Sequence, residues 1–391
     1  MALGAFYPFT RNHNTYDTIS QEPYAFGATS PVLASSKRWL SVRYSLLPHL
    51  YNLFFQSYQT GLPVMRPLLY SYPQDTNTWD LDTQFMLGGD IHVCPVLDAG
   101  LKAASCFIPN DDWFFLENGA RLAQYQATAS SGTVRSIDAP LDYIVVLVRG
   151  GSVLPRQYPA LTTDDTRANP FFLTVAMSAE AGSATVAQRA VGSMVFDDGV
   201  TLPTAATYSY CTRSFSMVQY RDGVWALDST LACVNASYGA VPDHTPPLDR
   251  VDIFGYLTCP SSVNVDYANL SIVVSVLDQH AQQVANYSVS SSLFDHGTGV
   301  FTVQGLSVPM NASFVLSWND TRSIAACRPG SNSNDSWKVG VGVGVGLAFV
   351  AILVGTALYF KRRSARSLRG NTDLFHAEGA EAQSLLANAD A

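Results

Sequence analysis

The sequence has few charged side chains and no excess of positive charge. Only 14% of its 391 residues are Asp, Glu, Lys or Arg, and the formal net charge is −8. A chain of this charge does not attract a phosphate backbone, so we expect no nucleic acid as a partner. The apolar fraction of 47%, by contrast, is enough to bury sizeable cores, and the length allows two or three domains.

Motifs for metals, nucleotides and cofactors are also missing. The seven histidines are scattered without an HExxH pair, and the six cysteines form no CxxC pair. No glycine-rich phosphate loop follows a predicted strand. We therefore expect no cofactor.

The first informative stretch is residues 4–22. Aromatic side chains and a proline lead there into a polar run, Arg11, Asn12, His13 and Asn14. Flat apolar faces beside fixed hydrogen-bond donors are what a sugar site requires. The same residues would also suit a surface turn with a satisfied histidine. On these residues alone, both interpretations stay open.

A series of ordered motifs resembles glycoside hydrolase family 31, the α-glucosidase family. They are GAFYPFTRNHN from Gly4, RYSLLPHLY from Arg43, GLPVMRPL from Gly61, QFMLG from Gln84, VCPVL from Val93, RGGS from Arg149 and DDG from Asp197. These motifs are rich in glycine, proline and aromatic residues and keep the order of the family. They cover roughly residues 1–203.

The resemblance implies an α/β barrel remnant, the last part of a TIM barrel, at residues 1–90, and a proximal β-sandwich at 91–203. A closed barrel needs ~250 residues, so only its end fits here. Apolar spacing predicts one long helix over 35–60, kinked or broken at Pro48, and then a buried strand over 63–70. Alternating short runs predict a distal β-sandwich at 204–330.

The resemblance also implies retaining glycoside hydrolysis, which uses one Asp as nucleophile and a second as acid/base. Both belong to earlier barrel strands, and no acid in residues 1–90 matches either position, so we expect no catalytic residue in this chain. By resemblance, His13 binds the hydroxyls of the terminal glucose. Phe9 and Arg11 are further candidates for substrate binding. Arg11 is also a candidate for fixing the loop, through carbonyls or Glu22.

Six N-x-S/T sequons predict a glycosylated, exported distal domain. They stand at Asn235, Asn269, Asn286, Asn311, Asn319 and Asn334. Four cysteines share this region and predict two disulfides with three possible connectivities. These are Cys211, Cys233, Cys259 and Cys327. Cys94 and Cys106, in the proximal domain, are expected to be buried thiols.

A membrane span is predicted near the end of the chain. After a Ser/Asn-rich linker at 331–338, residues 339–360 form a run of 22 without a charge. At ~1.5 Å per residue this run can cross a ~30 Å hydrocarbon core. Basic residues from Lys361 onward place the tail at 361–391 in the cytosol, which is type I topology.

The tail contains Glu381, Leu385 and Leu386, which resemble the acidic dileucine signal read by clathrin adaptors. Chance is an equally good explanation for so short a pattern. No basic and apolar leader opens the chain, although export is predicted. The family resemblance places Met1 at an internal position, so we expect the native polypeptide to continue upstream.

Together these observations predict the C-terminal part of a retaining α-glucosidase of the secretory or endolysosomal system, with oligosaccharide or glycan as substrate. The 391 residues alone are expected to be inactive. The alternative is a non-catalytic, membrane-anchored glycoprotein whose β-sandwiches bind carbohydrate or a partner.

Overall fold

The helices come first along the chain and most of the strands follow. The computed structural model describes residues 1–180, 182–205, 207–234, 245–256, 272–277, 283–289, 292–295 and 297–320. These lie in one compact unit, Met1–Pro329. The predicted linker, membrane span and tail at 331–391 fall outside the described residues. Among the residues that are described, no helix is both long and apolar enough to cross a membrane.

Three α-helices are present in the described residues. They are α1 Pro31–Ser45, α2 Leu47–Thr60 and α3 Thr163–Arg167. Short 3-10 turns occur at Gly4–Phe6, Pro23–Phe26, Leu68–Tyr70 and Thr76–Thr78.

The predicted break near Pro48 is confirmed. Leu46 leaves the helical conformation with φ −87° and ψ 0°, and Pro48 stands in the first turn of α2. Proline donates no hydrogen bond and its ring crowds the preceding turn, so the helix restarts there. The first helix begins at Pro31, earlier than predicted, because Ser30 Oγ accepts a hydrogen bond from the Val32 N–H at 3.1 Å and caps it.

The strands alternate with turns through the rest of the chain. The first ten are β1 Met65–Arg66, β2 Phe85–Leu87, β3 Ile91–Cys94, β4 Ala103–Ile108, β5 Trp113–Phe115, β6 Arg121–Ala123, β7 Thr133–Asp138, β8 Val145–Arg149, β9 Ser152–Gln157 and β10 Phe171–Ala176. The next ten are β11 Ser178–Ala179, β12 Val186–Asp197, β13 Tyr210–Tyr220, β14 Val224–Val234, β15 Leu248–Phe254, β16 Ile272–Leu277, β17 Gln283–Val289, β18 Ser292–Asp295, β19 Val300–Val308 and β20 Ser313–Asn319.

The strand predicted over 63–70 is wrong in length. Only β1 forms, and it pairs antiparallel with β2. Pro63 and Pro67 stand on either side of β1, and a proline donates no N–H to a strand ladder. The residues after Pro67 instead form a 3-10 turn.

Three sheets are built from these strands. The smaller ones have the orders β1-β2-β3-β8-β5-β6 and β4-β7. The largest has the order β17-β16-β20-β14-β13-β12-β9-β10-β15-β19-β18, with β11 beside β12. Its strands come from both sides of residue 203. The boundary that we predicted between residues 203 and 204 therefore lies inside one continuous sheet.

The large sheet curls around a single core. Leu173 of β10 and Val251 of β15 lie in the same buried cluster as Leu227 of β14 and Leu316 of β20. These strands belong to opposite halves of the sheet. Alternate residues therefore face one interior shared by both halves, and the predicted all-β character of this region is confirmed.

The N-terminal residues and the helices share a second core with the six-stranded sheet. Phe6 is fully buried and meets Trp39 of α1 edge-on, with ring centroids 5.7 Å apart. Leu50 of α2, Phe114 of β5 and Phe254 of β15 belong to the same cluster. The segment that precedes the polar run at Arg11–Asn14 is thus fixed to the body of the protein.

The prediction of free thiols at Cys94 and Cys106 is wrong. The two residues form a disulfide, with Cα atoms 5.9 Å apart. Strand β3 ends at Cys94 and the next strand returns past it, which brings the buried side chains together, and this return is not visible in the spacing. Cys211 and Cys233 form a second disulfide across the paired strands β13 and β14, whereas the other two candidates, Cys259 and Cys327, lie outside the described residues.

The sequons lie in varied surroundings. Asn311, between β19 and β20, and Asn319, the last residue of β20, are both exposed. Asn286 belongs to β17. Asn235, Asn269 and Asn334 fall outside the described residues. Glycosylation at the six sites stays a prediction.

Candidate functional site

The polar run is carried by a loop that leaves the core at Phe6. Ala5 and Phe6 are buried, and the turn at Gly4–Phe6 closes with the Tyr7 N–H donating to Gly4 O at 3.1 Å. The base of the loop is therefore ordered by packing and by its own backbone. The exposed residues that follow therefore start from a fixed backbone position.

One guanidinium holds the base of the loop. Arg43 Nη1 donates to the carbonyls of Ala5 at 2.8 Å and Tyr7 at 2.6 Å, and its Nη2 donates to the carbonyl of Pro8 at 3.1 Å. The planar fork of arginine suits several acceptors at once. Helix α1 thereby fixes the path of residues 5–8.

The loop then folds back closely on its own beginning. A Cβ atom at Gly4 would lie 2.6 Å from Thr10 Oγ1. This is too short for a carbon–oxygen contact, so a larger residue at position 4 would require the Thr10 side chain to move.

An open cavity of about 440 Å³ lies against this loop. Its lining consists of Met1, Gly4, Tyr7, Phe9, Thr10, Arg11, Asn12 and His13. The three predicted site residues, Phe9, Arg11 and His13, are thus brought to one cavity. All three are exposed, and the Phe9 ring is 74% accessible. An accessible aromatic face thus lies beside polar side chains, and sugar binding there stays a prediction.

Arg11 and His13 lie next to each other. Arg11 Nη2 is 3.5 Å from His13 Nε2, at the limit of a hydrogen bond. No ion pair joins Arg11 to Glu22, although the structure describes both residues. Fixing the loop carbonyls, which we considered for Arg11, is done by Arg43 instead.

Arg43 was not singled out in the sequence, although a signal was present. It follows Trp39 by four residues, so the two side chains share one face of α1. Trp39 is 2% exposed. An arginine on a buried helix face needs acceptors, and loop carbonyls are the acceptors it finds here.

Asn14 shapes the next turn of the chain. Its Nδ2 donates to Ile19 O at 2.9 Å, and its Oδ1 accepts from the Thr15 N–H at 2.9 Å and from the Thr18 hydroxyl. Asn14 does not line the cavity. Its polar groups serve the backbone, as is common for asparagine in turns.

No carboxylate stands among the cavity's lining residues. Asp75 accepts from the Gly132 N–H at 2.8 Å, and Asp90 accepts from Ser152 Oγ at 2.9 Å. Asp197 and Asp198 accept from their own turn, where the Gly199 N–H donates to Asp197 Oδ1 at 2.9 Å. These acids have structural partners, as expected for the DDG turn.

A metal site is not evident either. In the part of the chain that the structure describes, no three His, Cys, Asp or Glu side chains are grouped closely enough to hold a metal ion. The absence of a cofactor stays a prediction.

Two domain families match this chain. Residues 1–53 match the Glycosyl hydrolases family 31 TIM-barrel domain, and residues 61–154 match the Glycosyl hydrolase family 31 C-terminal domain. Residues 1–53 and 61–154 are thus similar to family 31 domains. The part that matches the barrel domain includes both the cavity loop and Arg43. The match to the C-terminal domain begins at residue 61, and the barrel-like part at residues 1–90 stays a prediction.

Curated relatives extend the similarity beyond these domains. An alpha-glucosidase of Schizosaccharomyces pombe is 35% identical over 326 residues, which is 82% of this chain and 28% of that protein. Intestinal sucrase-isomaltase of Homo sapiens is 31% identical over 319 residues, which is 82% of this chain and 16% of that protein. These alignments are longer than the roughly 203 residues in which we found family 31 motifs.

Among solved structures, the glucosidase II alpha subunit in a Tris-bound form matches with a TM-score of 0.62 and 20% identity, over 81% of this chain and 32% of that one. At this identity the match shows the fold. The chain spans less than a third of the length of each of these three proteins. By their names, these relatives are glycosidases.

Proposed function

We propose that this chain is the C-terminal part of a retaining α-glucosidase, which hydrolyses the O-glycosyl bond of terminal α-linked glucose in oligosaccharides or glycans. The observation that carries the proposal is the cavity of about 440 Å³ against the loop of Phe9, Arg11 and His13, inside the family 31 barrel match. Relatives named as an alpha-glucosidase and a sucrase-isomaltase support it.

Each side chain has a role in this proposal. His13 is exposed and can donate or accept a hydrogen bond at its ring nitrogens, so it binds hydroxyls of the terminal glucose. Phe9 offers an apolar face to the sugar ring. Arg11 lies 3.5 Å from His13 and restricts its ring. Hydroxyl contacts that tighten in the transition state contribute several kcal/mol in glycosidases.

The two reacting carboxyl groups lie outside this chain in the proposal. The cavity lining contains no Asp or Glu, and retaining hydrolysis needs two carboxyl groups about 5 Å apart. We therefore expect the 391 residues alone to be inactive. We use "whole enzyme" for the gene product that contains this chain together with a complete catalytic barrel.

The test is an assay of the whole enzyme and of this chain on an aryl α-glucoside. The whole enzyme should release α-glucose first, as seen by proton NMR, and the isolated chain should show no turnover above background. His13→Ala should lower kcat/KM by about 100-fold, whereas Tyr16→Ala, on the same loop but outside the cavity lining, should leave it unchanged. An inactive whole enzyme, or β-glucose as first product, would overturn the proposal.

We also propose that the protein is anchored in the membrane by residues 339–360, with type I topology in the secretory or endolysosomal system. The uncharged run, the basic residues after it and the sequons support this. Endoglycosidase should lower the apparent mass, and protease outside sealed microsomes should remove only the tail. Replacing Leu385 and Leu386 by Ala should raise surface exposure if clathrin adaptors read the signal.

A second candidate is a membrane-anchored glycoprotein that binds carbohydrate without cleaving it. The observation in its favour is the lack of a carboxylate among the cavity's lining residues. In the second candidate the β-sandwiches bind carbohydrate or a partner. Glucose binding without any hydrolysis by the whole gene product would favour the second candidate.

A further inference from the structure

Arg43 belongs to helix α1, yet its side chain serves the cavity loop. Its three hydrogen bonds reach the carbonyls of Ala5, Tyr7 and Pro8 at 2.6–3.1 Å. The residues that line the cavity follow directly, beginning with Phe9. The guanidinium therefore fixes the last backbone groups before the exposed part of the loop.

The three loop carbonyls accept the hydrogen bonds of the Arg43 guanidinium. Among the described ion pairs none includes Arg43, although its side chain is half buried. The three carbonyl groups therefore offset much of the desolvation of this charge. The loop and the guanidinium thus depend on each other, since without the loop the charge would lack its acceptors.

The contact geometry selects arginine over lysine. One nitrogen, Nη1, serves two carbonyls while Nη2 serves the third. A lysine ammonium is a single point on a flexible stem and cannot hold donors at two separate positions. Lysine should restore the charge without restoring the full set of hydrogen bonds.

Within the cavity, His13 makes one long contact. Its ring nitrogen Nε2 lies 3.5 Å from Arg11 Nη2, and both side chains are exposed. Their positions follow from the backbone before them. That backbone is closed at Gly4, where Thr10 Oγ1 approaches, and at residues 5–8 by Arg43.

We propose that Arg43 is a positioning residue for sugar binding: by clamping the carbonyls of Ala5, Tyr7 and Pro8, it sets the place of His13 against the hydroxyls of the bound glucose. The inference rests on the proposed function. Arg43 does not line the cavity and touches no substrate. A displacement of about 1 Å at a binding group can lower the rate by about 100-fold.

The first test needs no catalytic activity. Arg11 lies in the exposed part of the loop, so trypsin can cut after it when the loop is loose. In this chain, Arg43→Gln should speed cleavage after Arg11 at least tenfold, as measured by mass spectrometry. Arg38→Gln is the matched control because Arg38 lies on the same helix and pairs with Glu117 rather than with the loop carbonyls. Equal cleavage in both variants would overturn the proposal.

The second test uses the whole enzyme and a set of monodeoxy aryl α-glucosides. His13→Ala should abolish the preference for the parent glucoside over the analogue that lacks its bound hydroxyl. Arg43→Gln should weaken the preference at the same hydroxyl and lower kcat/KM by about 10- to 100-fold on the parent, and Arg43→Lys should do so less. Combining His13→Ala with Arg43→Gln should cost little more than His13→Ala alone.

The outcomes separate the two proposals. If His13→Ala leaves the preference intact, the proposed role of the loop fails, whatever Arg43 does. If His13→Ala abolishes it and Arg43→Gln lowers activity equally on every analogue, Arg43 is only structural and this inference fails. If Arg43→Gln does not fold, the preference for the parent glucoside over the deoxy analogue is measured with Arg43→Lys instead. An unchanged preference in that variant would overturn the inference.

Discussion

Tyr51 in helix α2 donates its hydroxyl hydrogen bond to the carboxylate of Asp197 at the end of strand β12, with 2.6 Å between the oxygen and Oδ2. Tyr208 donates to the same oxygen at 2.9 Å, and the Gly199 N–H donates to Oδ1. Asp197 is 7% exposed. This buried carboxylate therefore ties helix α2 to the large sheet.

Removing the Tyr51 hydroxyl should weaken this tie. We expect Tyr51→Phe to lower the free energy of unfolding by about 1–2 kcal/mol, because a buried carboxylate loses one of its donors. Tyr58→Phe is the control, since the exposed Tyr58 hydroxyl bonds only Pro203 O at a longer 3.3 Å. Urea unfolding of both variants measures the difference. Equal stability of the two variants would contradict the assigned role of Asp197.

Buried histidines should make the fold sensitive to acid. Burial lowers the pKa of His92 to about 3, and it lowers the pKa of His49 as well. Below the unfolded value of about 6.5, the unfolded chain takes up protons that the folded chain excludes. Stability should therefore fall as the pH drops from about 6.5, by about 2 kcal/mol for His92 at pH 5.

The measurement for His92 is thermal unfolding of the wild-type chain and of His92→Gln between pH 7 and pH 5. The glutamine variant should lose less stability over this range, even if it is less stable at pH 7. His13→Ala should keep the wild-type pH dependence because His13 is exposed. If the stability of His92→Gln fell with pH as steeply as that of the wild type, His92 would not be buried in its neutral form.

The two disulfides should differ in their susceptibility to reduction. Cys94 and Cys106 are 1% and 0% exposed, whereas Cys233 is exposed at the end of strand β14. A thiolate must reach a sulfur atom to exchange with it. Under mild, non-denaturing reduction, alkylation and mass spectrometry should detect Cys211 and Cys233 first. Labelling of Cys94 before Cys233 would contradict this order.

Arg213 should be essential to the distal part of the sheet. It is fully buried, and its guanidinium donates to Ser229 Oγ at 2.7 Å and to the carbonyls of Met310 at 2.6 Å and Ala312 at 2.9 Å. Burial lowers the pKa of Arg213 to about 10. Arg213→Met should lower stability by about 3 kcal/mol, because buried carbonyls lose their donor.

The matched control for Arg213 is Arg221→Met. Arg221 is exposed and its Nε donates to Ser183 O. A surface change of this kind should alter stability by less than about 0.5 kcal/mol. Similar losses in both variants, measured by urea unfolding, would show that the buried contacts of Arg213 are not stabilising.

Local features were predictable from the sequence where one residue decides them. Pro48 marks the helix break because its effect acts on the preceding turn. The aromatic and polar residues from Phe9 to His13 share one cavity because they are neighbours along the chain. In both cases the cause and the outcome lie within a few residues.

Features that depend on distant partners were missed. Arg43 finds its acceptors at Ala5, Tyr7 and Pro8, more than thirty residues away. Cys94 and Cys106 meet because strand β4 runs back past the end of strand β3. The strand predicted after Pro63 is shorter than expected because prolines stand on both sides of it. The predicted domain boundary at residue 203 lies within one sheet, because β12 before it pairs with β13 after it.

The order of strands in the large sheet also constrains how the protein is made. Strands β9 and β10 are completed early along the chain, yet β10 needs β15 as its parallel neighbour and β15 needs β19. During synthesis, the residues up to about 308 must emerge from the ribosome before this half of the sheet can close. Until then the edge of β10 is open to wrong pairing. A premature stop codon between β10 and β19 would therefore yield a nascent chain in which this half of the sheet cannot close, and we expect such a chain to be degraded.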